Sequence, residues 1–141
     1  MTDVSLNQAQ QIINSALIEA RRLGLQSSTV AVLDRGGHLT ALAREDGSSN
    51  LRADIAIGKA RGALALGQSS RKLSERVAQA PHFFTALAAL SAGNVIPVAG
   101  GVLIQDSDGS TIGAVGISGD TPDNDEKCAI AALESSEITK Q

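Results

Sequence analysis

The sequence has no tryptophan and no tyrosine, and its only aromatic residues are the adjacent Phe83 and Phe84. A single cysteine, Cys128, excludes an intrachain disulfide, and two histidines, His38 and His82, are too few for a zinc site of the usual Cys/His kind. No run approaches the roughly 18 to 20 apolar residues that span a bilayer. The start, Met1-Thr2-Asp3-Val4-Ser5, lacks the basic flank and apolar core of a signal peptide, so the expectation is a cytoplasmic protein with no membrane partner. There is no basic stripe interleaved with aromatic rings, and nucleic acid is therefore not an expected partner.

What is present is ordinary for a globular chain. In 141 residues, 43% are apolar and 19% charged, with a net charge of −3, which predicts one folded domain over 1–141. With so few aromatics, packing must rely on Ala, Val, Leu and Ile, and Gly and Ala set how closely the layers approach.

Apolar residues at Leu6, Ala9, Ile12, Ile13, Ala16, Leu17, Ala20 and Leu23 recur at threes and fours, predicting an amphipathic helix over 5–23 with a Ser5/Gln8 capping box and a Gly24 stop. Two β-rich runs, 28–34 and 38–44, flank Arg35-Gly36-Gly37 and read as a hairpin. A second helix is expected over 50–66, ended by Gly67. Residues 70–92 suit two short helices broken at Pro81. From Val95 the pattern turns to strand, with a hairpin of 100–105 and 111–118 around Asp106-Ser107-Asp108-Gly109. Thr121-Pro122 opens a last helix running to about Thr139. This order predicts an α+β class, an antiparallel sheet with helices packed on it.

Val32-Leu33-Asp34 through Gly37-His38-Leu39, Arg44-Glu45-Asp46-Gly47, Lys59-Ala60, Gly100-Gly101-Val102, and Gly113 to Gly119 with Asp125 downstream form an ordered set across almost the whole chain. That set resembles the GlcG/HbpS-like haem-binding (haem-degrading) family, also found as the C-terminal domain of PduO-type proteins. The resemblance implies a roadblock/profilin-like fold with a five-stranded antiparallel sheet flanked by helices, assembly into dimers or larger homo-oligomers, and haem or small-ligand binding in some members. Some relatives use a His on the first helix as iron ligand. Here that helix has none, and the Pro that usually follows the Gly-Gly pair is replaced by Val102, so the iron-ligand position does not carry over.

The residues themselves leave several functions open. Lys59 lies on a helix that is small or apolar almost all round, so its ammonium must snorkel out, bind an anion, act as an acid/base with a shifted pKa, or form an ion pair, for example with Asp125. Arg44, Glu45 and Asp46 close a strand at a loop, where Arg44 can fork a carboxylate or a haem propionate and Asp46-Gly47 can equally be turn chemistry. Gly100 and Gly101 lack the Gly-Lys-Ser/Thr ending of a P-loop and read as close-approach positions beside the ligand. His38 starts a strand and is a candidate acid/base. His82 stands beside Phe83-Phe84 and is the expected iron ligand if haem binds, since coordination needs an imidazole near an apolar wall. The reading that results is a small oligomeric binding protein for haem or a similar anionic ligand, with a small acid/base enzyme acting on a carboxylate or carbonyl metabolite as the alternative, and a ligand-free assembly module as a third.

Overall fold

The computed structural model describes residues 2–136. Helix α1 (Leu6–Arg22) is followed by strands β1 (Thr29–Asp34) and β2 (Leu39–Arg44), and then by helices α2 (Leu51–Leu66), α3 (Ser70–Val77) and α4 (Pro81–Leu90). Strands β3 (Gly101–Gln105) and β4 (Thr111–Ser118) and helix α5 (Pro122–Ser135) complete the order. None of the described helices is long and apolar enough to cross a membrane.

Local chemistry accounts for the boundaries. The Ser5 hydroxyl accepts from the Gln8 N–H while the Gln8 side chain accepts from the Ser5 N–H, the reciprocal capping box read from the sequence. Gly67 ends α2 in the left-handed region. Pro81 does more than break the segment: it occupies the first turn of α4, where its missing N–H costs nothing. Thr121 caps α5 by accepting from the Asn124 N–H, with Asp123 and Asp125 in the first turn. The helix ends at Ser135, with Ser136 already extended, short of the expected end near Thr139, which itself lies outside the described residues.

The sheet is antiparallel in the order β2-β1-β4-β3, and among the described residues it has four strands, not five. The segment from Val95 to Gly100, expected to be β-like, makes no ladder. Pro97 lacks the N–H that a ladder needs, the Ile96 N–H donates to the Gly58 carbonyl of α2, and Gly100 has a φ of +129°.

Register divides the sheet into two faces. Val30, Val32, Val115, Ile117 and Ile104 meet Ile12, Ile13 and Ala16 of α1 and Cys128, Ala129, Ala132 and Leu133 of α5 in one aliphatic core. On the other face Leu33 and Ala114 pack with Ala60 of α2. Here the approach is close enough that a Cβ on Gly116 would lie 2.0 Å from the Ala56 carbonyl oxygen, and one on Gly101 would lie 2.3 Å from that of Lys59.

Candidate functional site

Lys59 sits midway along α2 and is 2% exposed. Its Nζ donates to the Ile117 carbonyl at 2.8 Å and to Asp125 Oδ2 at 3.2 Å, while Asp125 Oδ1 accepts the Asp120 N–H at 3.0 Å. Burial pulls the Lys59 pKa below its ordinary value, and the Asp125 carboxylate opposes that shift. The lysine reaches Asp125 because Gly100 has no side chain: a Cβ there would stand 2.8 Å from both Nζ and the Ile117 oxygen. Beside it the Ser70 hydroxyl accepts the Gly101 N–H at 2.7 Å. Lys59, Asp125, Gly100 and Gly101, all singled out in the sequence, therefore meet in one enclosed cluster that joins α2, the sheet end and α5.

Arg44, Glu45 and Asp46 build a turn. Arg44 Nη1 donates to the Ser48 carbonyl at 2.9 Å, Glu45 accepts the Ser28 N–H at 2.7 Å and pairs with Arg21 at 3.2 Å, and the Asp46 carbonyl accepts the Ser27 hydroxyl at 2.9 Å. The structure does not bring Arg44 and Lys59 together, since one is exposed and the other enclosed.

The histidines lie apart from that cluster. His38 is exposed at the hairpin turn, its Nδ1 3.3 Å from Asp34 Oδ1. Asp34 also accepts the N–H groups of Gly36 and His38, which together with the imidazole hold its carboxyl below the usual range. His82 is exposed in the first turn of α4. Phe84 turns into the core and Phe83 stays 45% exposed; the two rings meet edge to face at 5.2 Å, and the Arg76 guanidinium lies about 6 Å from both. Among the described residues no three His, Cys, Asp or Glu side chains gather as a metal site.

A cleft of about 360 Å³ opens between the β1–β2 turn, the C-terminal half of α2 and the loop after α4. Leu64, Ala65 and Val95 form its apolar part, and Arg35 and Arg61 line it with charge. Arg61 Nε donates to the Gly37 carbonyl at 3.2 Å and Nη1 to Asn94 Oδ1 at 3.0 Å, while Arg35 pairs with Asp3 at 3.3 Å. In the sequence Arg35-Gly36-Gly37 reads only as turn material, and Arg61, two residues after Lys59, carries no motif of its own. The available signal was two arginines flanking a glycine turn and a small-residue helix, but 26 positions separate them in the chain.

A family model described as haem degrading protein HbpS-like matches residues 4–134. The chain is 30% identical over 139 residues to an uncharacterised 15.0 kDa protein from the dhaT-dhaS intergenic region of Citrobacter freundii, covering 92% of this chain and 96% of that protein. Among solved structures it resembles a double mutant of HbpS from Streptomyces reticuli, with a TM-score of 0.82, 27% identity, and 95% of this chain and 87% of that one covered. It resembles the Klebsiella pneumoniae protein ORFY with a TM-score of 0.86, 28% identity and coverage of 95% and 90%. A PduOC:haem complex matches with a TM-score of 0.85, 26% identity and 97% of each chain covered. With a shared sequence pattern, a shared fold and nearly full-length coverage, the chain belongs to the HbpS-like family of haem degrading proteins.

Proposed function

We propose that this protein is a homo-oligomeric binder of haem or a similar small anionic ligand, and that the ligand seats in the cleft bounded by Arg35 and Arg61. The observation that carries this reading is the pairing of two guanidiniums with an apolar wall of Leu64, Ala65 and Val95. A flat apolar molecule that ends in carboxylates needs that combination: the wall takes the hydrocarbon, and arginine matches a carboxylate bidentately. Likeness to a chain crystallised with haem supports the ligand class. The cleft lies at the small end of the range for ligand pockets, so a molecule of haem's size would be covered on one side and open to a second subunit on the other. The open edges at β2 and β3 and the exposed Ile18 and Leu90 favour such a partner.

Haem fits the residues at hand in a specific way. Arg35 and Arg61 would hold its propionates. Of the two imidazoles, His38 is the one beside this cleft: it follows Gly36 and Gly37, which line it, and Asp34 on Nδ1 leaves Nε2 directed by a carboxylate, the arrangement common to metal-bound histidines. His82, favoured by its sequence neighbours, stands at the opposite end of α4 from Ser91, which lines the cleft, about 13 Å away along the helix axis. The acid/base enzyme reading is left with His38 alone, because Lys59 lines no part of this cleft.

A hemin titration followed in the Soret band tests this. Arg61→Ala should weaken binding about tenfold or more by removing a charge-assisted contact. His38→Ala should alter the bound spectrum, and His82→Ala should leave it unchanged. The opposite histidine result would return the iron to His82, and no saturable Soret change in the wild type would end the haem reading.

A further inference from the structure

Where β1 begins and β4 ends, the α2 face carries a row of polar side chains. Thr29 of β1 stands opposite Arg44 of β2 and Ser118 of β4. Thr29 has no exposed surface, and its hydroxyl has no hydrogen-bond partner among the described residues. The buried Ser48 hydroxyl, in the turn leading to α2, is in the same condition. Between these two positions Arg52, in the first turn of α2, donates Nη1 to the Ser118 hydroxyl at 3.1 Å. A cleft of about 320 Å³ opens over Ser48 and Arg52, with Ser27, Ser49 and Gly119 also in its wall, while Thr29 is not one of its lining residues and is linked to it through its register neighbour Ser118.

Buried hydroxyls without partners are rare, and each calls for a missing water, ion or ligand. The charge around this cleft favours an anion. Asn50 provides no side-chain cap to α2 and the Arg52 N–H donates to the Ser49 carbonyl, so what the start of this sixteen-residue helix adds is its dipole. Arg52 adds a full positive charge, and its field reaches Lys59, where it helps to lower the ammonium's pKa. Among the described residues no carboxylate lines the cleft: Asp54 in the first turn of α2 and Asp46 before Gly47 lie outside its wall, Glu45 is engaged by Arg21 and the Ser28 N–H, and Asp120 by Asn124 and the N–H groups of Gln26 and Thr121.

We propose that this cleft is a second ligand site, separate from the Arg35–Arg61 cleft, for a compact oxyanion: the carboxylate of a small organic acid or a phosphate. Arg52 supplies the charge and the Ser48 hydroxyl a donor in the wall, and the Thr29 hydroxyl, enclosed behind the lining, acts through one bound water.

The test is a titration of the full chain with inorganic phosphate and, separately, with acetate, read from backbone amide shifts at Ser48, Ser49 and Arg52 and set against sodium chloride at equal ionic strength. Saturable shifts with phosphate alone identify a phosphate site, and with acetate alone a carboxylate site. Linear shifts that chloride reproduces overturn the proposal. Arg52→Gln should weaken binding about tenfold or more. Thr29→Val provides a second reading: loss of binding with the melting temperature of the anion-free protein kept or raised is the expected result. Unchanged binding in both variants would overturn the assignment. Arg61→Ala should leave the titration intact, so the two clefts fail or succeed separately.

Discussion

On the α1/α5 face of the sheet, Val30, Val32, Val115 and Ile117 interlock with Ile12, Ile13 and Leu133, whereas on the α2 face Leu33 is the one large strand side chain in the cluster, and beside Ala31, Ala114 and Gly116 backbone meets backbone. The first face is held by volume: each large aliphatic side chain contributes about 1.5 to 3 kcal/mol by leaving water. The second is held by proximity, which brings dispersion contacts between main chains but leaves no room to adjust. The only buried ion pair among the described residues links α2 to α5 past the sheet end, because the lysine stem can run where Gly100 presents no Cβ. Two packing solutions in one small domain thus differ in what they tolerate: loss of volume on one side, gain of volume on neither, and least of all at α2.

The sharpest attack on this contrast is Gly116→Val. Its Cβ would stand 2.0 Å from the Ala56 carbonyl oxygen, a backbone atom that cannot turn aside, so overpacking should cost at least about 3 kcal/mol and leave little folded protein. Circular dichroism and urea unfolding report it, and a variant within about 1 kcal/mol of wild type would show that α2 can slide.

Next in size is Lys59→Met, which leaves Asp125 buried with only the Asp120 N–H. Breaking a buried pair in this way should cost about 3 to 5 kcal/mol, and the double variant Lys59→Met/Asp125→Leu should recover much of that. Failure of the double variant to recover would mean that the bond to the Ile117 carbonyl, rather than the charge, holds the sheet end together.

Ile12→Val, on the aliphatic face, removes one methylene from a residue with no exposed surface and should cost about 1 kcal/mol. A loss as large as that of Lys59→Met would erase the distinction between the faces.

The smallest effect is confined to acid. The Asp120 carboxyl is held down to about 2 by the Asn124 side chain and the N–H groups of Gln26 and Thr121. Because the folded pKa is depressed, the stabilisation from this group is complete above its ordinary pKa near 3.8 and disappears as pH falls through about 2. Asp120→Asn should flatten the stability curve in that window and leave its slope near neutrality unchanged, which acid titration of the melting temperature will reveal.

Much of this architecture was present in local patterns. The threes and fours of α1, the Ser5/Gln8 box, the glycine turns and Thr121-Pro122 act within a few residues, so their structural consequences can be read without neighbours. The α+β class followed from their order. That Lys59 needs a partner was legible for a related reason, since a lone charge on an apolar helix must be neutralised, and Asp125 was one partner the sequence offered; the structure decided the pairing. The sequence could not exclude a fifth strand at 95–100; that was decided when the Ile96 N–H found the Gly58 carbonyl instead of a neighbouring strand.

The sites divide the same way. Sequence alone determined which side chains could carry charge, imidazole or apolar surface, because those are properties of single residues. Only the tertiary structure decided that Lys59 faces inward while Arg61, two residues later, lines a cleft with Arg35, and that Ser48 and Arg52 line another near the end of β4. A helix without a clear apolar stripe, such as α2, does not announce which side meets the sheet. That orientation was set by where glycines on the strands allowed its backbone to come closest.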